Sequence, residues 1–270
     1  MITSTANRQV KLLMQLNKKR KARDEQGVFL AEGPKMLENV PAERIVKAYF
    51  SESWYKEHAH GSAIPDASWA GGLSSAGYEF EVMEDHIFAS VSGTETPQGV
   101  LLIVKRSETP LEMMLEAPNP LLVVLENLQD PGNLGTILRT AEGAGADGVI
   151  LCNNCVDLYN PKTVRSTMGS IFRVPVCRPG DGVSVASRLR KAGIHTYAAH
   201  LDGSVFYDEA DYREGCAFLI GNESAGLSAP LTKAAEHLIK IPMAGGLESL
   251  NASVAASILM YEAVRQRRNS

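Results

Sequence analysis

Five polar side chains of the 270-residue chain stand in a pattern that can do chemistry without a nucleophile of their own. Asn133 and Arg139 follow the turn Gln129-Asp130-Pro131-Gly132. Glu223 lies within Gly221-Asn222-Glu223-Ser224-Ala225-Gly226-Leu227, and Ser249 and Asn251 follow Met243-Ala244-Gly245-Gly246. Together they offer amides, a hydroxyl, one carboxylate and one guanidinium beside the backbone of three glycine-containing turns. Such a set suits positioning and polarising a substrate more than covalent catalysis. Neither paired carboxylates nor a Ser/His/Asp pattern accompanies it, and His195, His200 and His237 read as structural or exposed. No Gly-x-Gly-x-x-Gly fingerprint opens this half of the chain, and no Walker loop occurs. Cys152-x-x-Cys155 lacks a second pair and nearby histidines, so it reads as reduced thiols, and no metal is expected.

The elements that must hold these groups alternate. Leu121–Leu125 is a continuous apolar run, as in a central parallel strand. A helix is predicted from Asn133 to about Gly143, then a strand at 149–151. Asn160-Pro161 opens a helix to about Gly169. A strand at 174–176, a helix over 184–192 and strands at 196–199, 217–220 and 238–241 follow. The alternation predicts an open parallel sheet with helices on both faces, where ligands sit at the carboxyl ends of strands. The turns 129–135, 221–227 and 243–251 all lie at such ends. Ser249 and Asn251 are good N-cap types for a last helix. Its Val254, Ile258 and Tyr261 share one face, which is predicted to pack.

The first half is a smaller α/β unit. Asn7 caps a helix over 7–22 with Val10, Leu13, Met14 and Leu16 on its apolar side. Strands are expected at 28–31, 45–51, 78–82 and 100–104, and a short helix over 85–90. Residues 52–80, with Trp54, Trp69, His58 and His60, read as a helix and loops, both histidines at the surface. Lys105 to Pro120 changes composition and reads as a linker. The expected organisation is therefore 1–106, a linker at 107–119, and 120–270.

The net charge is −4, with 44% hydrophobic and 21% charged residues, as in a soluble globular protein. No apolar run approaches the roughly 20 residues of a membrane helix. Residues 1–23 hold Arg8, Lys11, Lys18, Lys19, Arg20, Lys21 and Arg23 and no acid, leaving −11 for the rest. A basic segment on an acidic protein points to local contact with a polyanion.

The three turns also carry a family resemblance. Asn133-x-Gly135-x-x-x-Arg139-Thr140-Ala141, Leu219-Ile220-Gly221-Asn222-Glu223-x-x-Gly226-Leu227, and Ile241-Pro242-Met243 with Glu248-Ser249-Leu250-Asn251-x-Ser253-x-Ala255 resemble the three ordered motifs of the SpoU (TrmH) family. These are S-adenosylmethionine-dependent RNA ribose 2′-O-methyltransferases of the SPOUT class. Thr3-Ser4-x-x-Asn7, Phe29-Leu30-x-Glu32-Gly33 and Ser92-x-Thr94-x-Thr96-Pro97-Gln98-Gly99 resemble the ribosomal-protein-like substrate-binding domain often found ahead of it.

The resemblance implies a trefoil-knotted parallel-sheet methyltransferase domain, a homodimer and a cytoplasmic enzyme. S-adenosylmethionine would be held by Leu219, Gly221, Ile241, Leu250 and Asn251. Asn133, Arg139, Glu223, Ser249 and Asn251 would form the active site, with Glu223 ordering Arg139 or a loop. Arg8, Lys11, Lys18, Lys19, Arg20 and Arg139 would contact RNA, and the cluster Arg265, Arg267 and Arg268 would add phosphate contacts. Ribosomal RNA is the expected substrate. A transfer-RNA methyltransferase, or a non-catalytic RNA-binding homologue in ribosome assembly, is the alternative. A metabolic α/β enzyme would give the basic segment no role.

Overall fold

A computed structural model describes residues 1–58 and 79–268. The chain divides into two compact units: Met1–Ser107 with Asp157–Phe172, and Glu108–Val156 with Arg173–Ser270. Expectations for 59–78, including His60 and Trp69, lie outside the described residues.

In the first unit, α1 (Arg8–Lys18) starts at Asn7, whose side chain accepts from the Gln9 N–H at 2.8 Å. Val10, Leu13 and Leu16 are fully buried, while Arg8, Lys11 and Lys18 are exposed. The single helix predicted over 7–22 breaks at Lys19, which is extended, and α2 (Arg20–Gln26) ends on Gly27 at φ +63°. The break lets Arg23 turn inward. It is 3% exposed and thus a structural member of the basic segment, unlike its neighbours. Strands β1 (Val28–Glu32), β2 (Ile45–Ser51), β3 (Glu79–Met83) and β4 (Val100–Lys105) order as β1-β4-β2-β3, with only β2 and β3 parallel. Around them lie α3 (Pro34–Asn39), α4 (Glu52–His58) and α5 (Asp85–Val91). Leu13 and Leu16 of α1 share an apolar cluster with Phe88, Leu101 and Met83.

The second unit begins inside the stretch read as a linker. There α6 (Leu111–Leu115) buries Leu111 and Met114 against Leu122, Ile150 and Leu189, so these residues are core rather than tether. The sheet is built from β5 (Leu121–Glu126), β6 (Gly148–Cys152), β7 (Val176–Gly180), β8 (His195–Ala199), β9 (Val205–Phe206), β10 (Cys216–Ile220) and β11 (His237–Lys240). Their order is β7-β6-β5-β10-β8-β11-β9, parallel throughout. β5, β6 and β10 are buried at every position, which explains their uninterrupted apolar runs. The intervening helices are α7 (Pro131–Ala144), α8 (Pro161–Ser166), α9 (Gly182–Lys191), α10 (Ala229–Ala234) and α11 (Ala252–Arg268).

Two expectations change here. The packed face of α11 is Ala252, Ala256, Leu259, Met260 and Ala263, whereas Val254 and Tyr261 are 45% and 51% exposed. Small residues at 252, 256 and 263 allow close backbone approach, so side-chain size misidentified the inner face. Also, the segment 157–172, which carries α8, belongs to the first unit. Arg23 donates to Asp157 Oδ2 from Nη2 at 2.6 Å and from Nε at 3.2 Å, and to the Leu16 carbonyl at 2.6 Å. The Tyr159 ring lies 4.7 Å from that of Phe29, and the Arg44 guanidinium sits 5.5 Å from the Phe172 ring centroid.

Candidate active site

The site forms where β5, β10 and β11 end. After β5, Asp130 caps α7 by accepting from the Asn133 N–H at 2.8 Å, with Pro131 at the first helical position, where its missing donor costs nothing. Capping therefore belongs to Asp130, and the Asn133 side chain is released for other work. After β10, Asn222 and Gly226 exchange backbone hydrogen bonds at 3.0 and 2.9 Å, which closes the second turn. A Cβ on Gly221 would lie 2.1 Å from the Gly226 carbonyl carbon, so only glycine fits. After β11, residues 241–250 lead to α11. Asn251 caps that helix through Oδ1, which accepts from the Ser253 N–H and Oγ at 2.9 and 2.7 Å. Ser249 is exposed and takes no part in the cap.

Side chains from the three turns meet. The Glu223 carboxylate accepts from the backbone of Asp130 at 2.9 Å and of Gln129 at 3.1 Å, and from Asn133 Nδ2 at 3.0 Å. Asn133 Oδ1 in turn accepts from Asn251 Nδ2 at 3.0 Å. The result is a continuous chain, Glu223 to Asn133 to Asn251. Burial alone would raise the Glu223 carboxyl, but these hydrogen bonds outweigh it and hold it below its ordinary value. It is thus an anion at neutral pH.

Arg139 stands apart. It is exposed on α7 and has no side-chain hydrogen bond or ion pair with the described residues. Glu223 orders the 129–133 turn, not Arg139. Six helical residues turn Arg139 about 120° from Asn133 around the axis. Leu219 is fully buried among Val124, Ala217 and Leu231, so its side chain is core. Ile241 and Leu250 are half-buried at the third turn.

The basic positions divide. Arg8, Lys11, Lys18 and Lys19 are exposed, while Arg20 pairs with Asp24 at 3.4 Å. Arg265 is held by Glu262 at 2.7 Å, and Arg267 donates to the carbonyls of Tyr212 and Glu214 at 2.9 and 2.7 Å. Both therefore serve the fold, leaving Arg268 exposed. Cys152 is in the core, and Cys155 lies within hydrogen-bond reach of the Leu125 carbonyl, with burial pushing its thiol up to about 11. Asn222 is a further functional position, with no signal in the sequence beyond its place in the second turn. Its Nδ2 donates to the Asn127 carbonyl at 2.9 Å, and its Oδ1 accepts from the Ser224 and Ala225 N–H groups. Glu126 is another, and its signal in the sequence is a charged residue ending an otherwise apolar strand.

Residues 120–261 match the model of the SpoU rRNA Methylase family, and residues 7–102 that of the MRM3-like substrate binding domain. The Bacillus subtilis 23S rRNA (guanosine(2553)-2′-O)-methyltransferase RlmP is 33% identical over 96% of this chain and 97% of its own length. Mouse mitochondrial rRNA methyltransferase 3 is 30% identical over 97% of this chain and 73% of its own. The AdoMet-bound rRNA methyltransferase of Sinorhizobium meliloti superposes with a TM-score of 0.85, at 34% identity, covering 98% of this chain and 97% of that one. The SpoU methyltransferase AviRb of Streptomyces viridochromogenes, in complex with AdoMet, also gives 0.85, at 29% identity over 98% and 99%. Motifs, fold and full-length similarity agree, and the chain belongs to the SpoU rRNA methylase family.

Proposed function

We propose that this chain transfers a methyl group from S-adenosylmethionine to a ribose 2′-hydroxyl of ribosomal RNA. The observation that carries the reading is the Glu223–Asn133–Asn251 chain, which joins three separate strand ends into one polar surface. The B. subtilis and mouse relatives are both named as rRNA methyltransferases, which supports the substrate class. The cofactor fits these turns. Gly221 leaves the backbone bare, and among the described residues 241–250 form no backbone hydrogen bonds, so their N–H and C=O groups are free for a ligand. Gly221, Ile241 and Leu250 would hold it, with Asn251 at the edge.

When bound, S-adenosylmethionine supplies an electrophilic methyl. A ribose hydroxyl is a weak nucleophile, and its proton must leave, here to solvent water, as the new bond forms. Arg139 cannot act as base, because a guanidinium keeps its proton. Its role in this reading is to hold the substrate phosphate and 2′-oxygen in line, by charge and geometry. Ser249 and the polar edge of Asn251 orient the ribose. Glu223 fixes the 129–133 turn, and Asn133 transmits that order to Asn251. The exposed cations of α1 bind RNA phosphates.

Two copies pair in this proposal, because Val254 and Tyr261 leave an apolar stripe exposed on α11. Among the described residues no helix is long and apolar enough to cross a membrane. In this reading the enzyme acts in the cytoplasm, as expected for the B. subtilis relative's kind of substrate, and fractionation tests this against the mitochondrial location in the mouse relative's name. The decisive measurement is mass spectrometry of ribosomal RNA from cells with and without the protein, paired with labelled methyl transfer in vitro. Loss of one 2′-O-methyl supports the reading. RNA binding without methyl incorporation would favour a ribosome-assembly factor, and incorporation into transfer RNA alone would change the substrate.

A further inference from the structure

Glu126 is the last residue of β5, in register with Cys152 of β6, and it is 1% exposed. Among the described residues no cation pairs with it. Its oxygens accept from neutral donors: the Ser228 N–H at 2.7 Å on Oε2, and Ser228 Oγ at 2.8 Å and Asn153 Nδ2 at 2.9 Å on Oε1. Ser228 Oγ also accepts from the Leu231 N–H at 3.3 Å, capping α10, so its own proton goes to Glu126. The next residue, Asn127, has φ +54°, and its carbonyl accepts from Asn222 and Gln129 side chains at 2.9 and 3.0 Å. Asn153 has φ +55° after β6.

A buried carboxylate carries a desolvation cost that an apolar side chain would avoid. An apolar residue, however, could not grip Ser228 and Asn153. The second turn runs from Gly221 to Leu227, and Ser228 is the residue that ends it. Glu223 and Asn222 hold the turn's first part; Glu126 holds its far end. Asn222 ties Gly226 back and Leu227 is buried, so Glu126 adds the anchor at Ser228, next to the Gly226–Leu227 backbone that packs on Gly221.

We infer that Glu126 is a positioning residue for the cofactor, acting by fixing the far end of the 221–228 turn. The inference rests on the proposed role of that turn in holding S-adenosylmethionine. In Glu126→Gln the amide can keep the Oε1 contacts but presents N–H to the Ser228 N–H. The Ser228 N–H to Oε2 hydrogen bond disappears, and the turn loosens.

The test uses the full-length enzyme. Calorimetry should give an S-adenosylmethionine Kd raised about 10-fold or more in Glu126→Gln. KM for the cofactor should rise with it, while kcat at saturation and RNA affinity stay near wild type. Ser228→Ala, which removes only the hydroxyl contact, should raise Kd about 3-fold and covers the case in which Glu126→Gln fails to fold. A lowered melting temperature with unchanged cofactor Kd in either folded variant would overturn the inference and leave a purely structural role. Hydrogen exchange on wild type separates the two failures. If S-adenosylmethionine does not protect the 221–227 amides, the reading of the turn fails; if it does and the variants bind normally, only the role of Glu126 fails.

Discussion

At Glu223, one carboxylate collects donors from two strand-end turns, so its charge and the order of the site are linked. Its folded-state carboxyl lies below the ordinary value of 4.5, because the bonds from Asn133, Asp130 and Gln129 outweigh burial. The sign follows: ionisation stabilises the fold above that value, and the stabilisation is lost as pH falls through the lower folded one. Glu223→Gln should therefore lower the melting temperature at pH 7 and differ less from wild type as pH drops below about 4.5. A difference constant from pH 3 to 7 would show that the ionised carboxylate is not what holds the turns. All five polar positions of the motifs are visible in the sequence, because each lies within about five residues of a glycine in a segment that follows a strand. Their pairing is not. Asn133 looks like a cap residue in isolation, and only the structure gives the cap to Asp130 and sends the Asn133 amide between Glu223 and Asn251.

Among elements, the segment 157–172 departs most from its sequence reading. It reads as one more crossover of the parallel sheet, with a proline-started helix. It packs in the first unit because Arg23 and Asp157, 134 residues apart, form a buried pair. No local pattern encodes such a contact, and a basic run naturally suggests that every cation in it faces solvent. Removing one partner of a buried pair leaves the other charge unpaired, at a cost of about 3–5 kcal/mol. Asp157→Ala should lose roughly that much stability in urea unfolding, and Arg23→Met with Asp157→Leu should recover most of it. A loss under about 1 kcal/mol in the single variant would mean water reaches the pair. In the proposed reading, the outward cations of α1 and the adjoining Lys19 contact RNA. Replacing Arg8, Lys11, Lys18 and Lys19 by glutamine should weaken RNA binding and reduce the slope of log K against log salt by about 0.7–0.9 for every phosphate that a removed cation had neutralised. An unchanged slope would move the RNA surface elsewhere. On α11 bulk is a poor sign of burial: alanines at 252, 256 and 263 let the helix sit close and leave Val254 and Tyr261 outside.

At the scale of the whole molecule, the position of Arg139 and the outer face of α11 become one question. Arg139 is the only cation of the three motifs, yet it lies exposed and unpaired among the described residues, turned away from the Asn133–Glu223–Asn251 chain. A long, flexible side chain can be redirected by a bound substrate, but a second subunit offers another solution. In a two-fold dimer each surface meets its own copy, so Arg139 of one subunit can serve the polar chain of the other. The exposed stripe at Val254 and Tyr261 lies on α11, which packs against α7, the helix that carries Arg139; Thr140 and Ser257 join these helices at 3.0 Å. Arg139→Ala and Asn251→Ala should each be inactive alone as homodimers while Arg139→Ala still binds S-adenosylmethionine. Mixed and allowed to exchange, half the dimers would be hybrid, and each hybrid would hold one site with both residues intact. Activity should then return to about a quarter of wild type. Tyr261→Asp should reduce the particle to a monomer in light scattering and abolish the recovery. If the mixture stays inactive although mass measurement finds hybrid dimers, Arg139 acts on its own subunit, and substrate binding must draw it across α7 toward Asn251.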